Sequence, residues 1–218
     1  MMGIHATAQD DWANLERYAK ANSEITVQPK AVFMGDSITQ CWYDADPGFF
    51  NDNNFACRGI SGQTTSHMLV RMRKDVVDLH PKYVVILAGT NDIAQNEKDE
   101  AEKPIFVTIE QIAANIFKMA EMAQAAGIKV ILTTTMPSNY YWFNKEVKPA
   151  DMIPRLNNLL EEYAATHECG WVDYYSMFHT ETGRFDERWS YDDTHPHPHT
   201  YDVLQQALMP VLEPMLNE

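Results

Sequence analysis

Five residues spread along the chain have side chains or backbone groups that could together carry acyl transfer: Ser37, Gly62, Asn91, Asp192 and His195. That chemistry needs a nucleophile, a base, a group that orients the base, and donors for a developing oxyanion. Ser37 closes the run Ala31-Val32-Phe33-Met34-Gly35-Asp36-Ser37, and its hydroxyl is the candidate nucleophile. His195 can accept its proton. Asp192, in Tyr191-Asp192-Asp193-Thr194-His195-Pro196, can hold the imidazole tautomer and stabilise the imidazolium. Asn91, in Ala88-Gly89-Thr90-Asn91-Asp92, can offer a side-chain N–H. Gly62, in Arg58-Gly59-Ile60-Ser61-Gly62-Gln63-Thr64-Thr65, can offer an unobstructed backbone N–H.

Each of these residues also has a plainer reading. The Ser37 hydroxyl could cap the helix that follows it. Asn91 and Gly62 could be turn residues only. Asp193 rivals Asp192 as the orienting acid, and because adjacent residues usually point apart, one of the two is expected to serve. Asp36 and Asp92 read as structural, bonding loop backbone or fixing neighbouring groups. Cys41 lies four residues after Ser37 and reads as a small buried or partly buried thiol.

A constellation this dispersed needs a scaffold that gathers it. Short apolar runs at 31–36, 54–58, 82–88, 128–135 and 169–173 lack clean alternation, as parallel strands buried on both faces do. Helical patterns fall near 64–79, 105–126, 152–167 and 200–216, with an amphipathic N-terminal helix at about 10–22. Pro81 should end the helix near 64–79 before the third strand, and Gly127 should cap the one near 105–126 before the fourth strand. The alternation predicts right-handed parallel crossovers and a three-layer α/β/α sandwich around a mainly parallel sheet of about five strands. In such sheets the site forms from loops at the carboxyl ends of the strands, where all five candidates fall. Segments 95–104 and 138–150 read as loops, and residues 1–218 as a single domain.

Composition narrows the partners. Lys and Arg number 17 against 31 Asp and Glu, a net charge of -14, which disfavours nucleic acid and anionic membrane surfaces. Hydrophobic residues at 45% supply an ordinary core, while the longest apolar stretches, such as 84–88, are far too short for membrane insertion. Cys41, Cys57 and Cys169 are odd in number and widely spaced, which gives neither a disulfide framework nor a metal knuckle and suits a reducing compartment. The first residues lack a basic start followed by an apolar run, so the expected location is cytoplasmic, or periplasmic or secreted if the start has been trimmed.

In order and spacing the four blocks resemble the SGNH hydrolase superfamily, the GDSL-type lipases, esterases and acylhydrolases. The blocks are Gly35-Asp36-Ser37, Gly59-Ile60-Ser61-Gly62-Gln63-Thr64, Gly89-Thr90-Asn91-Asp92 and Asp192-x-x-His195. The likeness runs from about residue 30 to the end, including His195-Pro196 and Tyr201 near the start of the last helix. It implies a flavodoxin-like SGNH fold. It implies Ser37 as nucleophile, Asp192 and His195 as the rest of a triad, and an oxyanion hole from the Ser37 and Gly62 N–H groups and the Asn91 side chain. It also implies neither metal nor organic cofactor. The serine-hydrolase pattern Gly-x-Ser-x-Gly does not occur. Three positions depart from the family's habit: Cys57 stands where Asn is common, Thr194 where an apolar residue is usual, and His197-Pro198-His199 in place of a small polar stretch.

The expected activity is therefore hydrolysis of a small-molecule ester carrying a small acyl group, first of all O-acetyl on a carbohydrate. The alternatives are lysophospholipid or thioester hydrolysis with longer acyl chains, and a non-catalytic carbohydrate-binding SGNH module. Aromatic residues crowd the strand ends: Trp42, Tyr43, Tyr140, Tyr141, Trp142, Phe143, Trp189 and Tyr191. They read either as packing at loop bases or as a substrate platform, with Trp42, Tyr140, Trp142 and Tyr191 as the substrate-contact candidates. His195, His197 and His199 alternate with prolines and could share one side of an extended backbone, a pattern also seen in metal sites; with His195 already engaged, no metal is expected. Nothing in the sequence indicates an oligomeric state.

Overall fold

The computed structural model describes residues 11–94, 106–142 and 144–216. Five strands form one sheet: β1 (Ala31–Gly35), β2 (Phe55–Gly59), β3 (Tyr83–Leu87), β4 (Lys129–Thr133) and β5 (Gly170–Val172). All neighbours pair in parallel in the order β2-β1-β3-β4-β5, so every carboxyl end opens on the same side. The helices are α1 (Ala19–Ser23), α2 (Ser37–Ala45), α3 (Pro47–Asp52), α4 (Thr65–Asp75), α5 (Thr90–Ile93), α6 (Ile109–Ala125), α7 (Pro149–Thr166), α8 (Tyr175–Phe178) and α9 (Thr200–Leu216).

Alternate strand residues point to opposite faces, and here both sets are apolar. Val32, Met34, Val84, Ile86, Val130 and Leu132 bury against α4, α6 and α7. Phe33, Val85, Leu87 and Ile131 bury against α2, α3 and α9. Two cores on one sheet make the expected three-layer sandwich.

Helix boundaries follow local chemistry. The Thr108 hydroxyl accepts the Gln111 N–H at 3.2 Å while the Gln111 side chain accepts the Thr108 N–H at 2.8 Å, a capping box that starts α6. The predicted helix over 64–79 stops at Asp75 and continues as a 3-10 turn over Val77–Leu79, with left-handed His80 before Pro81. The N-terminal helix expected over 10–22 is confined to Ala19–Ser23. Upstream, the Asp11 carboxylate accepts the N–H groups of Leu15 and Glu16, and Asn14 sits at φ 54°, so local side-chain bonding wins over the amphipathic pattern. The loop expected over 95–104 lies outside the described residues.

Trp42 is a core residue and not a substrate contact, which corrects the sequence reading. It is 1% exposed, parallel to Phe49 at 5.4 Å between ring centroids and edge-on to Phe33 at 5.6 Å. Trp42→Ala is expected to lower folding stability by about 3–5 kcal/mol, read as a shift of the urea midpoint at unchanged slope.

Candidate active site

The site starts where β1 ends. A Cβ at Gly35 would stand 2.0 Å from Thr39 Oγ1 and 2.9 Å from the Leu87 carbonyl, so only glycine lets α2 turn this tightly off the strand. Asp36 caps α2, its carboxylate accepting the Ile38 N–H at 2.9 Å, which leaves Ser37 as the first helical residue. The backbone N–H at that position has no intrahelical acceptor. The capping duty that Ser37 could have taken thus falls to Asp36.

Ser37 Oγ lies 3.0 Å from His195 Nε2. His195 Nδ1 lies 2.7 Å from Asp192 Oδ2. The second oxygen of Asp192 accepts the His195 N–H at 2.7 Å and the Thr194 N–H at 3.0 Å, so the carboxylate also shapes the turn that carries the histidine. A bridge between Ser190 and Pro196 closes this loop. Donation from Nδ1 to the carboxylate leaves Nε2 with a lone pair toward the hydroxyl, the tautomer a general base needs.

Asp193 takes a different course. Left-handed at φ 64°, it accepts the N–H groups of Phe185 at 2.7 Å and Asn139 at 3.0 Å. It therefore fastens the 139–142 segment beside the histidine loop, while Asp192 faces the ring.

The hydrogen bond with Asp192 raises the His195 pKa above its ordinary value, against the opposing effect of burial. Burial pushes the Asp192 carboxyl up, but the hydrogen bonds from the His195 ring and backbone outweigh it and hold the carboxyl below the usual range. Burial raises the Asp36 carboxyl to about 6, with the Ile38 N–H and the His195 charge pulling the other way.

The segments after β2 and β3 carry the other two donor candidates, Gly62 and Asn91. Gln63 N–H reaches the Ile60 carbonyl at 3.3 Å, and Gly62 at φ +79° occupies the left-handed position of this turn. Asn91, on the short helix α5, donates from Nδ2 to the Gln63 carbonyl at 3.0 Å and, at a long 3.4 Å, to Asp36 Oδ2. Asp92 accepts from the Thr65 hydroxyl at 2.5 Å and the Thr65 N–H at 2.9 Å, locking α5 to the start of α4.

Among the other candidates, Tyr191 is 61% exposed and lies nearly parallel to the His195 ring at 5.8 Å. Tyr140 and Trp142 are also exposed. Tyr141 is buried, and Trp189 packs edge-on to Phe178. Phe143 lies outside the described residues. The later histidines do not converge with His195 on one point: His197 Nε2 lies 3.3 Å from the Glu187 carbonyl and His199 Nε2 3.0 Å from the Arg188 carbonyl. Among the described residues no cluster of three or more His, Cys, Asp or Glu side chains is arranged to hold a metal.

Sequence reasoning passed over Gln63 and Arg71. Arg71 is fully buried and bonded to Gln63 Oε1 at 2.5 Å, Asp75 Oδ2 at 3.1 Å and the Gly35 carbonyl at 2.9 Å. The readable signal was an Arg and an Asp at i, i+4 on α4, interleaved with the inward-facing Met68 and Met72.

A parallel α/β/α sheet with a serine, a histidine and an aspartate in hydrogen-bonding sequence at its strand ends has the geometry of a serine-dependent hydrolase. The chain belongs to the GDSL-like lipase/acylhydrolase family, whose model matches residues 33–203, and is thus an enzyme of the esterase class. It is similar to a Bacteroides fragilis protein whose crystal structure is that of a candidate acylhydrolase, at 39% identity, TM-score 0.87, covering 94% of this chain and 98% of that one. It is similar to a GDSL-like lipase of Bacteroides thetaiotaomicron, at 37% identity, TM-score 0.85, covering 93% and 98%. Over 79 residues, 36% of this chain, it is 37% identical to YqeF, an uncharacterised lipoprotein of Bacillus subtilis, of whose length the match spans 31%. No helix among the described residues is long and apolar enough to cross a membrane.

Proposed function

We propose that this acylhydrolase cleaves small acyl esters through Ser37, His195 and Asp192. The observation that carries the reading is the continuous chain Ser37 Oγ–His195 Nε2 at 3.0 Å and His195 Nδ1–Asp192 Oδ2 at 2.7 Å. Ser37 Oγ attacks the ester carbonyl as its proton passes to His195 Nε2. The tetrahedral oxyanion takes hydrogen bonds from the Ser37 N–H, the Gly62 N–H and Asn91 Nδ2. On the Asn91 amide it replaces the long bond to Asp36. Collapse breaks the carbonyl–alkoxy bond, and the imidazolium protonates the departing alcohol. Water, deprotonated by His195, then releases the acid from the acyl-enzyme. Asn91→Ala is expected to lower kcat by roughly 10²–10³ with little change in KM. Incubation with an organophosphonate should label Ser37 in folded protein, as read by mass spectrometry; an unlabelled Ser37 would favour a binding module without catalysis.

For the substrate we propose an acetyl ester on a carbohydrate. Tyr140, Trp142 and Tyr191 expose aromatic surface beside the histidine loop, and flat amphipathic rings suit the apolar faces of sugars. A series of nitrophenyl esters of rising chain length tests this, with acetyl expected to give the highest kcat/KM. A preference for long acyl chains would move the assignment to lysophospholipid or thioester hydrolysis. Three unpaired thiols suit a reducing cytoplasm, whereas the lipoprotein relative points to the cell envelope; fractionation of native cells decides between them.

A further inference from the structure

We propose that Arg71 and Gln63 are positioning residues that set the oxyanion hole, through a buried clamp joining the end of β1 to the turn after β2. The proposal rests on the acyl-transfer reading above, since it concerns donors that reading assigns.

The guanidinium of Arg71 makes three bonds to three parts of the fold. Nη2 donates to the carbonyl of Gly35, two residues before Ser37. Nε donates to Oε1 of Gln63, the residue after Gly62. Nη1 donates to Asp75, whose side chain is 1% exposed and balances the charge. The Gly35 carbonyl also accepts the Ile60 N–H at 3.1 Å, the first residue of the Gly62 turn. The other face of Gln63 completes the clamp: its backbone carbonyl accepts the Asn91 amide at 3.0 Å, and its Nε2 reaches the Ala13 carbonyl at 2.8 Å. Each assigned oxyanion donor is therefore at most two residues, or one hydrogen bond, from an atom this clamp holds. Ser37 follows Gly35, Gly62 precedes Gln63, and Asn91 hangs on the Gln63 carbonyl.

The arrangement suits arginine in particular. A planar fork presents separate N–H groups at fixed angles, whereas lysine offers one nitrogen for three acceptors. A buried ion pair kept for stability alone would need only Asp75, since such pairs are often matched by apolar packing. The bonds to Gly35 and Gln63 go beyond that need and lead toward the site. Oxyanion donors act by preorganisation, and small misplacements of such groups are costly in the transition state while leaving substrate binding intact.

Gln63→Met keeps the side-chain length and the Arg71–Asp75 pair but removes both side-chain hydrogen bonds of Gln63. It is expected to lower kcat on nitrophenyl acetate on the order of 10- to 100-fold at unchanged KM. Gln63→Glu keeps an acceptor for Arg71 while losing the donor to Ala13, and should restore most of kcat. In an Asn91→Ala background, Gln63→Met should cost a distinctly smaller factor, because the share of its effect that runs through the Asn91 amide is already lost. Wild-type kcat in folded Gln63→Met, a Gln63→Glu enzyme as slow as Gln63→Met, or the same factor in both backgrounds would each overturn the clamp. Should Gln63→Met not fold, Arg71→Lys serves instead: it keeps a cation beside Asp75 and is expected to lose kcat to a similar degree, with unchanged kcat in the folded variant overturning the proposal. Ser37→Ala separates the two levels. If it leaves activity intact, the acyl-transfer reading itself fails. If it abolishes activity while Gln63→Met is neutral, only the clamp fails.

Discussion

His195→Ala is expected to lower kcat on a short-chain nitrophenyl ester by on the order of 10⁶-fold, with KM changed little. The size follows from the two proton transfers proposed for His195. Its Nε2 lies 3.0 Å from the Ser37 hydroxyl, and in the proposed mechanism the same nitrogen returns the proton to the leaving alcohol. Without it Ser37 attacks as a neutral hydroxyl and the alkoxide leaves unprotonated. Ser37→Ala should cost about as much, and the double variant hardly more, because neither group acts without the other. Stopped assays that discount trace wild-type contamination check this. A loss in the double variant near the product of the two single losses would show that the pair does not work as a unit.

The Asp192–His195 spacing was legible because three residues are just enough for a carboxylate to bond both the imidazole and the backbone of one tight turn. The strands were legible for a related reason. Burial on both faces leaves only apolar residues, so β1, β3 and β4 stand out whatever surrounds them. The short helix α3 was not anticipated, and α2 entered only as a helix that Ser37 could cap, without bounds. Their signals were the caps Asp36 and Asp46, the second followed by Pro47 at the first helical position, and neither helix has the length that makes periodicity visible. Trp42 went wrong through the same omission. Five residues along a helix turn a side chain about 140° away from Ser37, so a residue near the nucleophile in sequence faces the core in space. Arg71 was hidden by its type, since an arginine on an amphipathic helix reads as solvated until its acceptors are seen. Those acceptors come from β1 and from the turn after β2, partners that no local pattern on α4 announces.

Asp192→Asn should lower kcat by about 10⁴-fold, less than loss of the base but far more than loss of an oxyanion donor. Asp192 accepts from His195 Nδ1, His195 N and Thr194 N at once. An asparagine whose Oδ1 stays on the two backbone N–H groups must turn its NH₂ toward Nδ1. The imidazole then keeps its lone pair on Nδ1 and its proton on Nε2, facing Ser37 with a donor where an acceptor is needed. The pH profile gives a second, independent sign. In the wild type the bond to Asp192 raises the His195 pKa, so kcat/KM should rise with pH through a value above that of an ordinary histidine, as the imidazolium deprotonates. Removing the carboxylate removes that cause, and burial, which lowers the pKa, is then opposed only by the charge of Asp36. The acid limb of Asp192→Asn should therefore move to lower pH even as its plateau falls. Asp193→Asn, which changes a carboxylate bonded to Asn139 and Phe185 and not to the ring, should leave the position of that limb in place. A limb that moved with Asp193 and stayed with Asp192 would exchange the roles of the two acids.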